Sequence, residues 1–392
     1  MRADVLVVGA GLAGLWTATE LARRGHDVVL ADRRTRLDTT VRTTGIFVRR
    51  TLEDFALPPE HLGPPVRRMV LYPPSHRAPV TLDGAHDEFR VGDMAALYLE
   101  LTARAVAAGV RLELGTRYLG SRGDVHLLHG PHGPEEVGAT FVVGADGARS
   151  AVARGLGLDR NRELLVGAEE VFEVPPRDAR PGAVPAFHCV LDPRLAPGYL
   201  AWVLDDGRHA HVGVAGYAHR YPHGLRDALR RFAASAPGLA GVPVPDVVER
   251  RAGTIPVGGL LRRISGPHGL LVGDAAGAVS PLTAGGLDPC LRLSEHAVDV
   301  LDLALRSGDR RDLARYDGAA LRARFRGRLA LRRGLSLVRT PAVAAVGVAA
   351  LRTPPGRAAA RRILFGHGSF PDPRPVPAAS REIALATPGP QG

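Results

Sequence analysis

Between an apolar run, Ala3–Val8, and a helical pattern that stops at Gly25, the chain places Gly9, Gly11 and Gly14. A strand that passes through a glycine turn into a helix opens a dinucleotide-binding βαβ unit, and each glycine has a physical task there. Gly9 allows the tight turn, Gly11 lets the backbone approach a pyrophosphate, and Gly14 lets helix and strand pack closely. The N–H groups at the helix start, Leu12 and Ala13 among them, lie at the positive end of the dipole and suit phosphate oxygens. A second strand, His26–Ala31, ends at Asp32, twenty-three positions after Gly9. A carboxylate there accepts hydrogen bonds from a ribose and disfavours a 2′-phosphate. Arg33 beside it joins the candidate set.

Two later stretches repeat the strand-to-acid pattern. Thr140–Val143 runs into Gly144-Ala-Asp146-Gly147, and Leu270–Val272 runs into Gly273-Asp274-Ala-Ala-Gly277. A carboxylate at the carboxyl end of a strand lies where open α/β sheets bind ligands and can accept bonds from sugar hydroxyls. Taken singly, each is also consistent with a capped loop.

In this order, the three stretches resemble the FAD-binding signature of the flavoprotein group that includes p-hydroxybenzoate-type hydroxylases and geranylgeranyl reductases. The match covers most of residues 1–305. The resemblance implies FAD as cofactor, with Asp274 on its ribityl chain, Asp146 shaping the groove near the pyrophosphate, and Gly273, Pro281, Gly285, Gly286 and Leu287 among its contacts. Ser280-Pro-Leu-Thr-Ala284-Gly285-Gly286-Leu287 looks like the reductases' Pro-Leu-Thr-Gly-x-Gly-Ile, except that Ala284 replaces the first glycine. The helix that follows is expected to have Asp288 as N-cap and Pro289 as first residue. Its positive end would stabilise the reduced ring. Arg42 with Gly45 resembles the Arg-x-x-Gly segment that crosses beside the flavin. Arg90, before a helix from Met94 to Ala108 capped by Asp93, resembles the arginine that touches the cofactor. No second glycine fingerprint follows a strand, so NAD(P)H would bind transiently, or a reductase partner would supply the electrons.

The resemblance makes this an α/β protein with a discontinuous Rossmann-like FAD-binding domain, residues 1–165 and 263–308, with an inserted segment at about 45–88. Residues 166–262 have another texture, with strand-like runs at Glu170–Val174, Ala186–Leu191, Leu200–Asp205, Arg208–Val214 and Val247–Thr254, and one helix near Leu225–Ala234. Asp206-Gly207 signals a tight hairpin. An antiparallel sheet should therefore wall a substrate pocket. His188, Tyr199, Trp202, His209, His211 and Tyr217 lie on or beside it, and Tyr199, Trp202, His209 and His211 are the catalytic candidates. His209 and His211 share one face by alternation and are expected to be partly exposed sheet histidines rather than metal ligands. Gly198-Tyr199-Leu200-Ala-Trp202-Val resembles the reductases' Tyr-Gly-Trp-Val-Phe segment, except that Leu200 replaces the Tyr before the small residue, and Trp202 is read equally as lining an apolar pocket or as packing in the core.

Composition excludes several chemistries. The 392 residues contain no lysine, so Schiff-base catalysis, a Walker A loop and a flavin halogenase's catalytic lysine are out. The two cysteines, Cys189 and Cys290, form neither a disulfide framework nor a zinc module, and a cytoplasmic location is the simplest. The net charge of +11 is local: Arg306–Arg362 holds fifteen arginines against three acids, and the rest has 36 basic and 37 acidic residues. No aromatic-plus-basic RNA motif accompanies it, so a nucleic-acid partner is not expected. The basic helical segment, 309–370, could instead meet an anionic membrane surface or an acidic partner. Residues 371–392 read as a disordered tail. The expected activity is FAD-dependent oxidoreduction of a lipophilic small molecule, prenyl or polyketide-like. Double-bond reduction is favoured, monooxygenation is second, and a non-redox cyclase or isomerase is third.

Overall fold

A computed structural model describes residues 2–39, 41–175, 185–206, 208–239 and 247–365. Its centre is the strand Arg2–Val8, whose last four residues, Val-Leu-Val-Val, are all buried. Such a β-branched run suits a strand covered on both faces. It pairs in parallel with Val28–Asp32 on one side and with Gly133–Gly144 on the other. Arg111–Leu114 and Gly269–Leu271 extend the parallel sheet outward on the two sides. The chain thus turns to one side after its first strand and to the other side later, which creates a topological switch point at the end of Arg2–Val8.

In register, Val8 lies opposite Gly144 and Gly144 opposite Leu271. The three turns that follow these residues are therefore adjacent in space. The helix Leu12–Arg23 is buried at every position from Leu12 to Thr19 and packs against Met94–Ala107 and the long helix Leu287–Ser307. Asp93 caps Met94–Ala107 by accepting from Ala96 N at 3.1 Å, as its sequence implies.

The second sheet has seven strands, in the order Val247–Pro256, Leu164–Glu173, His209–Gly216, Ala201–Asp205, Ala186–Val190, Arg68–Tyr72 and Val80–Asp83. It departs from the sequence expectation in two ways. Its last two strands come from the early segment, and Ala186–Val190 pairs with Arg68–Tyr72 in parallel rather than antiparallel. Such a pairing joins residues more than a hundred positions apart, and no local pattern encodes it. The helix Leu225–Ala233 covers one face through Ala228, Leu229 and Phe232. The hairpin joining Ala201–Asp205 to His209–Gly216 forms as expected: Asp206 Oδ1 accepts from Arg208 N and His209 N at 2.9 and 2.7 Å. Gly207 itself lies outside the described residues.

The C-terminal segment folds as the helices Gly318–Ala323, Arg326–Ser336, Pro341–Ala350 and Pro354–Leu364. Buried Tyr316 ties its start to the parallel sheet, donating from its phenol to Leu271 O at 2.8 Å. The expected tail at 371–392 lies outside the described residues.

Candidate functional site

The first glycine turn is shaped by close approach. Gly9 has φ +104°, and a Cβ there would fall 2.4 Å from Ala145 O. A Cβ on Gly14 would fall 1.8 Å from Gly9 O. These two glycines are thus required by the protein's own packing, one joining the first turn to the second and the other joining turn to helix. Gly11 differs, because a Cβ there would meet nothing within 4 Å. The space beside Gly11 is open at the N-terminus of Leu12–Arg23, where no side chain caps the helix and no acid stands in the first turn. Free N–H groups facing open space at a positive helix end form an anion cradle.

Asp32 is buried at the end of the second strand. It accepts from Ala10 N at 2.7 Å and from Arg34 through the backbone N at 2.8 Å and through Nη2 at 2.9 Å. Burial alone would raise its pKa, but these bonds and the Arg34 charge outweigh it and hold the carboxyl below its usual range. Arg33 points to solvent. Its neighbour Arg34, which the sequence reading passed over, orients the acid.

In the second turn, Asp146 Oδ2 accepts from Ala151 N and Val152 N at 2.6 and 3.2 Å and so caps the helix Ala151–Gly155. Its Oδ1 is buried without a hydrogen-bond partner among the described residues. Burial pushes its pKa up.

In the third turn, Gly273 at φ +56° brings the backbone onto the first helix, where a Cβ would fall 2.9 Å from Ala13 Cβ. Burial raises Asp274 to about 6, and no hydrogen bond or ion pair offsets it among the described residues. Asn161, absent from the sequence reading, ties the second and third turns together by donating from Nδ2 to Ala148 O at 3.1 Å and to Asp274 O at 2.8 Å. Tyr98 is buried and lies within electrostatic reach of Asp274, Arg34 and Cys290; burial pushes its phenol up to about 12.

The stretch Ser280–Gly286 closes on itself, with Ser280 N donating to Gly285 O at 3.0 Å. Ala284 sits in it at φ +52°. The reductase-type glycine is thus replaced at a left-handed position, a strain of about 1–2 kcal/mol for an L-residue. A Cβ on Gly285 would lie 3.7 Å from Thr283 Oγ1, and one on Gly286 would lie 3.5 Å from Val279 Cγ2 and 3.6 Å from Asp274 Oδ1, ordinary contact distances. The helix begins at Leu287 with Gly286 as N-cap, so Asp288 is not the N-cap and Pro289 is not the first residue. The chain is already helical at Leu287, and Asp288 turns inward instead. There it accepts from Thr51 Oγ1 at 3.0 Å and from Arg292 Nε at 2.9 Å.

Arg42 is exposed, but the loop after it is fixed. Thr44 Oγ1 donates to Glu169 Oε2, and Arg251 Nη1 donates to Thr43 O at 2.9 Å. Arg90 lies on the strand Phe89–Val91, its buried Nε without a partner among the described residues.

Around Glu169 the second sheet holds a buried polar network. Glu169 also accepts from Trp202 Nε1 at 3.2 Å, pairs with His211 Nδ1 at 3.3 Å and accepts from Arg251 Nη1 at 3.2 Å. His211 Nε2 meets Asp206 Oδ2 at 3.0 Å. Burial disfavours the imidazolium, yet the two carboxylates outweigh it and hold His211 up at about 9. The expectation of a partly exposed His211 is therefore corrected: the strand centre buries it, and both ring nitrogens are engaged. His209 shares the face, is partly exposed and lies 3.6 Å from the same Asp206 oxygen. His188 pairs with Tyr72 OH at 3.0 Å, away from this network. Tyr199 is buried and donates to Thr283 O in the Ser280–Gly286 turn.

Gly9, Gly11, Gly14, Asp32, Asp146, Gly273, Asp274 and Gly286 thus line adjoining strand ends, with the second sheet against the Ser280–Gly286 turn. An open phosphate cradle, the unpartnered Oδ1 of Asp146 and the half-buried carboxyl of Asp274 fit a long polyhydroxylated dinucleotide. The FAD binding domain family matches residues 2–324. The chain belongs to this family of FAD-binding flavoproteins. It is an FAD-dependent oxidoreductase of the geranylgeranyl reductase and hydroxylase group. The flavoprotein is 33% identical over 326 residues to digeranylgeranylglycerophospholipid reductase 1 of Methanopyrus kandleri, covering 79% of this chain and 83% of that relative. It is 31% identical to menaquinone reductase of Mycolicibacterium smegmatis over 76% of each chain. In structure it is similar to a geranylgeranyl bacteriochlorophyll reductase-like protein of Thermoplasma acidophilum, with TM-score 0.79, 20% identity and coverage of 93% and 96%.

Proposed function

We propose that this flavoprotein reduces a carbon–carbon double bond in a lipophilic, prenyl-chain molecule, with NAD(P)H or a reductase partner as transient electron donor. The observation that carries the reading is the apolar wall set against the Ser280–Gly286 turn. Tyr199, Leu165, Ala215 and Val257 form one buried cluster, and Trp202, Tyr217 and Ala284 pack against it. A wall of this kind holds an apolar chain and excludes water beside the cofactor. The relatives named for reduction of a digeranylgeranyl lipid and of menaquinone support the same class. Bound FAD supplies hydride chemistry, and the protein supplies orientation and electrostatics. Gly11, Leu12 and Ala13 would hold the pyrophosphate, Asp32 the ribose, and Asp274 the ribityl hydroxyls. Arg42, Arg90, Asp146, Pro281, Gly285, Gly286 and Leu287 would complete the groove.

Oxygen-dependent hydroxylation or epoxidation is the second reading, favoured by the Arg42–Gly45 segment that resembles the hydroxylases' crossing and is fastened to Glu169. Reduced holoenzyme mixed with a prenyl lipid under nitrogen separates them. Flavin reoxidation with a saturated product supports reduction, and product that forms only with oxygen contradicts it.

Peripheral contact with anionic lipid is part of the proposal. Val343 and Val346 on Pro341–Ala350 are 52% and 71% exposed, and Leu337 is 70% exposed. Arg339 and Arg352 stand exposed at the two ends of that helix. An exposed apolar helix with flanking arginines suits an interface. Among the described residues no helix is long and apolar enough to cross a membrane. Co-sedimentation with anionic vesicles should be lost in Val343→Asp/Val346→Asp; undiminished binding would refute the contact.

A further inference from the structure

The buried carboxylate of Glu169 gathers bonds from across the second sheet. In register it lies opposite Arg251 on one side and Gly213 on the other, and Gly213 in turn lies opposite Trp202. Trp202 is therefore two strands away from Glu169, yet its Nε1 reaches Oε2 at 3.2 Å. Gly213 makes that reach possible. A Cβ there would fall 2.2 Å from Trp202 Cζ2 and 2.3 Å from Cε2, so the indole lies directly on the bare backbone of the strand between them. A side chain at 213 would push the ring off this seat and away from Glu169.

The same carboxylate fastens the loop before the strand Ile46–Val48. Thr44 Oγ1 donates to Oε2, and Arg251 Nη1 bridges Glu169 Oε1 and Thr43 O at 3.2 and 2.9 Å. On its other side the loop is pressed against the start of the helix Met94–Ala107: a Cβ on Gly45, at φ +82°, would fall 2.8 Å from Gly92 O and 2.7 Å from Met94 Cγ. One turn along that helix stands Tyr98, within electrostatic reach of both Arg251 and Asp274, so the cluster adjoins the third cofactor turn. Trp202, for its part, packs against the apolar cluster that also receives Ala284 of the Ser280–Gly286 turn. Ion pairs buried this deeply add little stability over apolar packing of the same volume, so what a fully bonded cluster supplies here is a fixed geometry.

We propose that Glu169 is a positioning residue for the flavin reaction: its carboxylate, balanced by Arg251 and His211, holds the Thr43–Gly45 loop and the Trp202 indole at one separation and so sets the width of the space in which the flavin meets its substrate. The proposal rests on the reading above only in taking this wall as the substrate side, and it holds for reduction and hydroxylation alike. Glu169 acts through Thr44 and Trp202 and need not touch the reacting atoms. A glutamine has the same shape but brings an amide donor to a place where four donors converge, so at least one of the loop, the indole, Arg251 and His211 must let go.

The test uses FAD-loaded protein in a Trp16→Phe background, which leaves Trp202 as the sole tryptophan of the chain. Two spectroscopic readouts follow the two walls: acrylamide quenching of Trp202 fluorescence, and the visible band of the bound flavin. Glu169→Gln should raise the quenching and shift the band while FAD stays bound. Thr44→Val, which removes one donor on the loop side, should shift the band and leave the quenching unchanged, and Thr44→Ser should restore the band. Reoxidation of dithionite-reduced protein by saturating geranylgeraniol under nitrogen should slow about a hundredfold in Thr44→Val, the loss expected of a small misplacement, with the half-saturating concentration unchanged. If Glu169→Gln does not fold, the Thr44 pair carries the test alone. Variants that lower only the melting temperature, with band, quenching and rate as in the parent, overturn the proposal and leave the prenyl reading standing. A parent protein that geranylgeraniol does not reoxidise contradicts the prenyl reading, and the two spectroscopic readouts then support or overturn the positioning role by themselves.

Discussion

The phenol of Tyr199 donates to the backbone carbonyl of Thr283 across 84 positions of sequence, joining the second sheet to the turn that precedes the long helix Leu287–Ser307. The wall and the turn therefore form one unit, and a change in either should be felt at the ring of the bound cofactor.

Tyr199→Phe keeps the ring and leaves the Thr283 carbonyl without its donor. The cost is about 1–3 kcal/mol. Calorimetry should show a lower melting temperature, and the visible spectrum of bound flavin should shift while FAD is retained. An unchanged spectrum would mean that the turn does not depend on this bond.

Gly11 and Gly14 should answer substitution in opposite ways. Gly11→Val projects into open space, so the chain should fold with a native circular dichroism spectrum yet fail to retain FAD. Gly14→Ala places a methyl group 1.8 Å from Gly9 O, so folding itself should fail. Gly11→Val with full flavin content would show that the pyrophosphate lies elsewhere.

This contrast marks what the sequence makes legible. Gly9, Gly11, Gly14, Asp146 and Asp274 stand out because each lies in the turn or helix start that follows a buried strand end, and parallel register then brings those strand ends together. Asp288 misleads, because an acid before a proline looks like a cap, whereas the helix already begins at Leu287 and the tertiary partners Thr51 and Arg292 hold the carboxylate inside. Arg34, Asn161 and Glu169 carry no local mark. Their roles arise from partners set by tertiary packing: Asn161 reaches Asp274 O across 113 positions, and Glu169 reaches Arg251 across 82. The strands Arg68–Tyr72 and Val80–Asp83 were likewise illegible as part of the second sheet, since their place depends on a parallel pairing with Ala186–Val190.

Asp274 should link cofactor affinity to pH. Burial raises its pKa to about 6 without a partner, so folding favours the protonated form there. Ribityl hydroxyls that donate to the carboxylate favour the ionised form and lower that pKa, so binding releases a proton. FAD affinity should rise as pH increases through about 6, and Asp274→Asn should flatten the dependence. Equilibrium titrations between pH about 5 and 8 check both.

His211 sets the opposite trend in stability. Its folded pKa of about 9 lies above the ordinary 6.5, because Asp206 and Glu169 outweigh the cost of burial. The stabilisation is complete below 6.5 and is lost as pH rises through about 9. Thermal melts of wild type should therefore fall in that window, and those of His211→Gln should be lower at neutral pH and flatter. A parallel decline in the two proteins would contradict the role of the Glu169–His211–Asp206 chain.

The convergence of three strand ends on one flavin is tested most directly by the visible spectrum and the flavin-to-protein ratio of the purified chain. One FAD per chain is predicted, released on denaturation and restored when FAD is added back. A colourless protein that takes up no FAD when it is supplied in excess would contradict the account.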